Sequence, residues 1–134
     1  MSAERPRAES HDTRDPSLPA RILIVDDEPL LQRSLTRKLK PLVTEVHVAG
    51  SIGEARQLLE THVFDAVVAD EQLGLDGGLG SVLLTEISQR FPAMRRVLLS
   101  GLPLQHTPMA HVFLHKPFMP AELIAALRGE PAPA

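Results

Sequence analysis

Several acidic, hydroxyl and amine side chains in this sequence stand directly behind short apolar runs. Asp26-Asp27-Glu28 follows Ile22-Leu23-Ile24-Val25, and Asp70 follows Ala66-Val67-Val68-Ala69. Ser100 closes Val97-Leu98-Leu99, and Lys116 lies just past the run His111 to Leu114. Carboxylates brought together repel one another and resist ionisation unless positive charge sits among them. A hard, oxygen-seeking divalent cation such as Mg²⁺ meets that need, and the Lys116 ammonium adds a second, fixed charge. A carboxylate in such a setting can take up a phosphoryl group as an acyl phosphate, provided the charge on the transferring oxygens is neutralised. In that chemistry Asp70 is the nucleophile and Asp27, with Asp26, holds Mg²⁺. Ser100 then hydrogen-bonds one phosphoryl oxygen, and Lys116 meets another.

These residues can meet only if the apolar runs are neighbouring strands. Each run is continuous rather than alternating, as strands buried on both faces require. Helical patterns separate them. Pro29 suits a first turn, and Leu31, Leu35, Leu39 and Leu42 make one stripe ending near Pro41. Val46 and Val48 mark a short second strand, and Ser51 with Glu54 forms a capping-box pattern before Ala55, Leu58 and Leu59. Val82, Leu83, Ile87 and Phe91 suggest a third helix before Pro92, while Pro120 opens a last one through Leu127, stopped by Gly129. Strands alternating with helices imply right-handed crossovers and a parallel sheet covered on both faces. The expected fold is α/β, a doubly wound five-stranded parallel sandwich. Ligands bind such sheets at the carboxyl ends of the strands, where all the residues above fall.

Composition bounds the remainder. The chain has 134 residues, 43% of them hydrophobic, which suits one folded unit. We expect it at residues 21–129, between a flexible tail at 1–20 and a short tail at 130–134 that is either a free end or the start of a linker. Residues 1–20 contain three prolines, mixed charges and only Leu18 as a large aliphatic besides Met1. No run approaches the roughly 20 apolar residues of a membrane span, and the N-terminus carries no secretory signal pattern, so a cytoplasmic location without membrane contact is expected. There is no cysteine, which rules out disulfides, thiolate zinc sites and thiol catalysis. A net charge of -3 with scattered Lys and Arg offers no footprint for nucleic acid.

The motifs I-L-I-V-D-D-E-P, V-V-A-D, L-L-S-G and F-L-H-K-P-F, in that order, resemble those of response-regulator receiver domains of two-component signalling, over about residues 20–129. The resemblance implies a flavodoxin-like strand order 2-1-3-4-5 and a switch, not an enzyme of multiple turnover. The phosphoryl donor would be a sensor histidine kinase or a histidine phosphotransfer protein, and the reader a downstream protein or a second copy of the chain. It also implies that Asp27 is the principal metal acid, Asp26 its water-mediated companion and Asp70 the phosphoacceptor. The backbone carbonyl of Gln72 completes the metal site, Ser100 is the switch hydroxyl and Phe113 the aromatic that turns inward on activation. Pro117 matches a proline whose preceding bond is usually cis.

Departures from the family pattern carry expectations of their own. Residues 101–110 form a short stretch containing Pro103 and Pro108, so the helix expected between strands four and five is reduced to a turn or lost. In the family the face that this helix shares with strand five and the last helix commonly carries the signal, so output here is expected to use another surface. The stretch Glu71 to Gly80 lacks a proline often found there and holds four glycines, from which we expect a mobile loop. His106, His111 and His115 are more simply packed or solvated than metal ligands, and Phe113 could be plain core. The glycine-rich run matches no nucleotide-binding fingerprint. Two other functions compete: a degenerate receiver that binds partners without phosphorylation, and a phosphohydrolase of the haloacid-dehalogenase type. The second wants an acid two residues after its nucleophile, where this chain has Gln72, and a cap insertion that is missing.

Overall fold

The computed structural model describes residues 12–104 and 106–129. Along the chain come β1 (Arg21–Val25), α1 (Pro29–Leu39), β2 (Glu45–Ala49), α2 (Ile52–Thr61), β3 (Ala66–Asp70), α3 (Gly80–Arg90), β4 (Arg95–Ser100), β5 (Val112–His115) and α4 (Pro120–Arg128). All strand pairs are parallel, and the order is β2-β1-β3-β4-β5. This is the doubly wound, flavodoxin-like α/β sandwich expected from the sequence. Because side chains alternate across a strand, the continuous apolar runs feed two cores. Leu23, Val25, Val67, Ala69 and Leu98 pack with α2 and α3 on one face, while Ile22, Ile24, Val68, Val97 and Leu99 pack with α1 and α4 on the other. Each such aliphatic side chain, fully removed from water, contributes about 1.5–3 kcal/mol before conformational entropy is charged against it.

Local signals end the elements where expected. Ser51 Oγ accepts the Glu54 N–H at 3.2 Å, but the Glu54 carboxylate reaches back to Gly50 N rather than to the cap residue, so only half of the capping box forms. Gly129 caps α4 at φ 84°, a left-handed conformation that glycine adopts without penalty. The Lys116–Pro117 bond is cis.

One segment follows its expectation and another departs from it. Among the described residues of 101–110 no helix forms: the chain crosses from β4 to β5 in turns, with Leu104, Met109 and Ala110 packed over the core of the α2–α3 face. Residues 12–20 also pack onto the sandwich, although they belong to the stretch read as a tail. Leu18 is buried beside α1 and α4, the Asp15 N–H donates to Leu42 O, and the Arg128 guanidinium pairs with the Asp15 carboxylate at 2.6 Å. Residues 1–11 and 130–134 lie outside the described residues. Among the described residues no helix is long and apolar enough to cross a membrane.

Candidate functional site

Parallel register assembles the site. Val25 pairs with Ala69, so the next residue of each strand, Asp26 and Asp70, comes side by side. Asp70 pairs with Leu99 and Ser100 with His115, so Ser100 and Lys116 each fall one step beyond a paired position at the same sheet end. One carboxylate oxygen from each of Asp26, Asp27 and Asp70 lies within 4.8 Å of the others. The Lys116 ammonium stands 3.2 Å from Asp70 Oδ1 and 3.5 Å from Asp26 Oδ2. Asp26, Asp70 and Ser100 are buried, whereas Asp27 is exposed at the mouth.

Burial raises the pKa of both inner carboxyls. For Asp26 this outweighs the Glu28 N–H bond and the nearby Lys116, which favour the anion. Asp70 is also pushed up, by burial first and by the negative charges of Asp26 and Asp27, against the pull of Lys116. Burial opposes the Lys116 ammonium, yet Asp26 and Asp70 overcome it and hold the amine above the ordinary lysine value. Three carboxylates against one ammonium leave surplus negative charge in a partly dehydrated pocket. That charge and the all-oxygen donor set suit Mg²⁺, which prefers a few carboxylates with water completing its octahedron.

The other residues singled out from sequence fall around this centre. Ser100 Oγ accepts the Leu102 N–H at 3.0 Å, and Ser100 O accepts the Lys116 N–H at 2.8 Å. Gln72 is exposed and pairs with Leu79 in an antiparallel bridge that closes the loop after Asp70. Phe113 is partly buried on β5, against the core of the α2–α3 face. His106, His111 and His115 are exposed and do not converge; His111 Nδ1 accepts the Arg96 N–H at 3.0 Å.

Sequence reasoning overlooked how tightly the loop after Asp70 is built. Its glycines answer to close packing rather than slackness. A Cβ on Gly77 would stand 1.7 Å from Leu73 O, and one on Gly80 would stand 2.2 Å from Asp70 O. Gly74, at φ 83°, would bring a Cβ within 2.9 Å of Asp27 Oδ2. Proline, common at this place in the family, cannot adopt that φ. Glu71 was missed too. Its buried carboxylate accepts Ser81 N at 2.7 Å and Ser81 Oγ at 2.9 Å, capping α3 from outside because Leu79 supplies no side-chain cap. The missing cap at Leu79 was the available signal. A groove of 470 Å³, lined by Leu31, Leu35, Phe118, Leu123 and Ile124, also runs from Lys116 between α1 and α4.

A doubly wound sheet with an acidic trio, a hydroxyl and a lysine at its carboxyl edge is the arrangement that the sequence resemblance implies for a receiver domain. The family model of the response regulator receiver domain matches residues 22–128, and the chain belongs to that family. It is 31% identical to the signal receiver domain of an HD domain-containing protein from Pseudomonas fluorescens Pf-5, with TM-score 0.72 over 81% of this chain and 90% of that one. It is 26% identical to the response regulator TrrA of Thermotoga maritima, solved in complex with Mg²⁺-BeF, with TM-score 0.68 over 77% of this chain and 91% of that one. Among curated proteins it is 30% identical, over 81% of its length, to the hydrogenase transcriptional regulatory protein HoxA of Cupriavidus necator, of which it covers 23%. The chain spans 18–24% of the length of the curated relatives it matches.

Proposed function

We propose that this chain is a phosphoacceptor receiver that takes a phosphoryl group on Asp70 and signals by a shift in protein contacts. The observation that carries this reading is the Lys116 ammonium 3.2 Å from Asp70 Oδ1, beside three carboxylates clustered within 4.8 Å. Asp27 and Asp26 would hold Mg²⁺ with Asp70 and the Gln72 backbone carbonyl. When bound, the ion neutralises charge on the phosphoryl oxygens. Asp70 supplies the attacking carboxylate oxygen; its O–P bond forms as the donor's P–N bond breaks, and the leaving imidazole takes a proton. Lys116 then pairs with a phosphoryl oxygen in place of Asp70 Oδ1. The Ser100 hydroxyl turns from the Leu102 N–H, which it now accepts, to donate to another.

The donor is a sensor histidine kinase or histidine phosphotransfer protein in the cytoplasm, and the reader is a downstream protein or a second copy of the chain. With no helix among the described residues between β4 and β5, the reader would use a surface other than the one common in the family, and any inward turn of Phe113 would be felt in the core it shares with the crossover. Phosphorylation-independent binding is the rival reading, and the complete acidic trio with its lysine weighs against it. The test is intact mass after incubation with Mg²⁺ and acetyl phosphate. One base-labile phosphoryl group is expected, absent from Asp70→Asn and absent without Mg²⁺. No gain with either the small donor or a cognate kinase would leave the binding module standing, and steady turnover of phosphate esters would instead revive the phosphohydrolase.

A further inference from the structure

His47 of the edge strand β2 and His62 at the end of α2 place their rings with centroids 4.4 Å apart. Both rings rest on Phe64, His47 edge-on at 5.6 Å and His62 stacked at 6.0 Å, so the pair sits on a rigid apolar seat. One nitrogen of each ring is engaged: His47 Nε2 with Glu45 Oε1 at 3.2 Å, and His62 Nδ1 with the Thr61 hydroxyl at 2.8 Å. That leaves His47 Nδ1 and His62 Nε2 for another partner. Imidazoles that bind metals characteristically have the second nitrogen held by a carboxylate or another oxygen, which sets ring orientation and raises basicity.

We infer that His47 and His62 form a binding site for a first-row transition ion of the Zn²⁺, Ni²⁺ or Cu²⁺ type, with Glu45 as a positioning residue. The donor set selects against the ion of the acidic pocket. Imidazole nitrogen suits zinc, nickel and copper, whereas Mg²⁺ seeks oxygen. With two protein ligands the site is open, and water fills the other positions. Both rings reach solvent at the β2 edge, so the ion has a path in.

The site is tested on the full, untagged chain with Zn²⁺ alone, in excess Mg²⁺ so that the carboxylates are occupied. Calorimetry and the histidine ring signals in ¹H–¹³C NMR are followed together. One saturable Zn²⁺ per chain is expected, shifting His47 and His62 while the other histidines stay in place, with Cu²⁺ binding more tightly than Zn²⁺. His47→Gln and His62→Gln should each abolish saturation. Glu45→Ala should weaken binding about tenfold or more, the usual effect of losing a supporting hydrogen bond. His111→Gln should change nothing. NMR spectra of each variant without metal show that the fold persists. Lack of saturation at about 1 mM Zn²⁺, the weak end of specific binding, overturns the inference. So does binding that survives both histidine substitutions.

Discussion

Asp26, Asp27 and Asp70 share one ammonium, and the imbalance has consequences for single residues. Lys116 relieves part of the repulsion, but Asp70 still stands above the ordinary carboxyl value, through burial first and its acidic neighbours after. Asp70→Asn, which removes a buried charge beside two other acids, is therefore expected to stabilise the metal-free protein, as measured by urea unfolding. Mg²⁺ should reverse the order. It raises the melting temperature of the wild type by binding the folded state, and raises that of Asp70→Asn less. Lys116→Gln does the opposite of Asp70→Asn. It leaves two buried acids without a cation and should cost about 1–3 kcal/mol without Mg²⁺, less than the roughly 3–5 kcal/mol of a broken fully buried pair because Lys116 remains partly exposed.

At the scale of elements, the loop between β3 and α3 links the acidic pocket to a helix. Gly74 lies against Asp27, Gly77 against Leu73, Gly80 against Asp70, and Glu71 holds the first turn of α3 through Ser81. Gly74→Pro would install the residue common in the family, yet it demands a φ near −65° where the chain has 83°. We expect it to cost about 1–3 kcal/mol of stability and to weaken Mg²⁺ binding by displacing Asp27, read by chemical denaturation and by Mg²⁺ titration. An unchanged Mg²⁺ affinity in a folded Gly74→Pro protein would show that the contact with Asp27 carries no weight. The crossover from β4 to β5 makes the complementary point. Pro103 and Pro108 leave it no helix among its described residues, and Leu104, Met109 and Ala110 pack instead on the same core as Phe113.

Over the described molecule, residues 12–20 before β1 belong to the folded unit. Leu18 enters the core of the α1–α4 face, and Asp15 ties that segment to the end of α4 through Arg128. Leu18→Ala should destabilise the protein by about 2 kcal/mol, at the low end for a buried leucine because the site lies near the surface. Asp15 gives a pH signature. Hydrogen bonds from Ser17 and then Arg128 lower its carboxyl from 3.8 to about 2. A depressed folded value means that this contribution is complete above the unfolded value and is lost as pH falls toward 2. Acid unfolding of Asp15→Asn should accordingly show a shallower loss of stability between those two values than the wild type. Equal slopes would mean that the exposed pair contributes nothing measurable, a common fate for surface ion pairs.

Strand and helix order, the two-faced burial of the sheet and the grouping of Asp26, Asp27, Asp70, Ser100 and Lys116 were legible in the sequence by itself. Continuous apolar runs of about four residues set between turn signals suit strands buried on both sides, and parallel strands bring their carboxyl ends together. The prolines of 101–110 likewise announced the lost helix, since proline removes a backbone donor whatever surrounds it. Tertiary structure alone decided the rest. The glycines after Asp70 read as slack in one dimension but prove to be clearance for Leu73, Asp70 and Asp27, because a missing Cβ has meaning only against the atoms that would meet it. Leu18 in a polar stretch, Glu71 ten residues from Ser81, and the meeting of His47 with His62 leave no periodic trace. Each depends on where separate elements dock, which pairwise spacing along the chain does not encode.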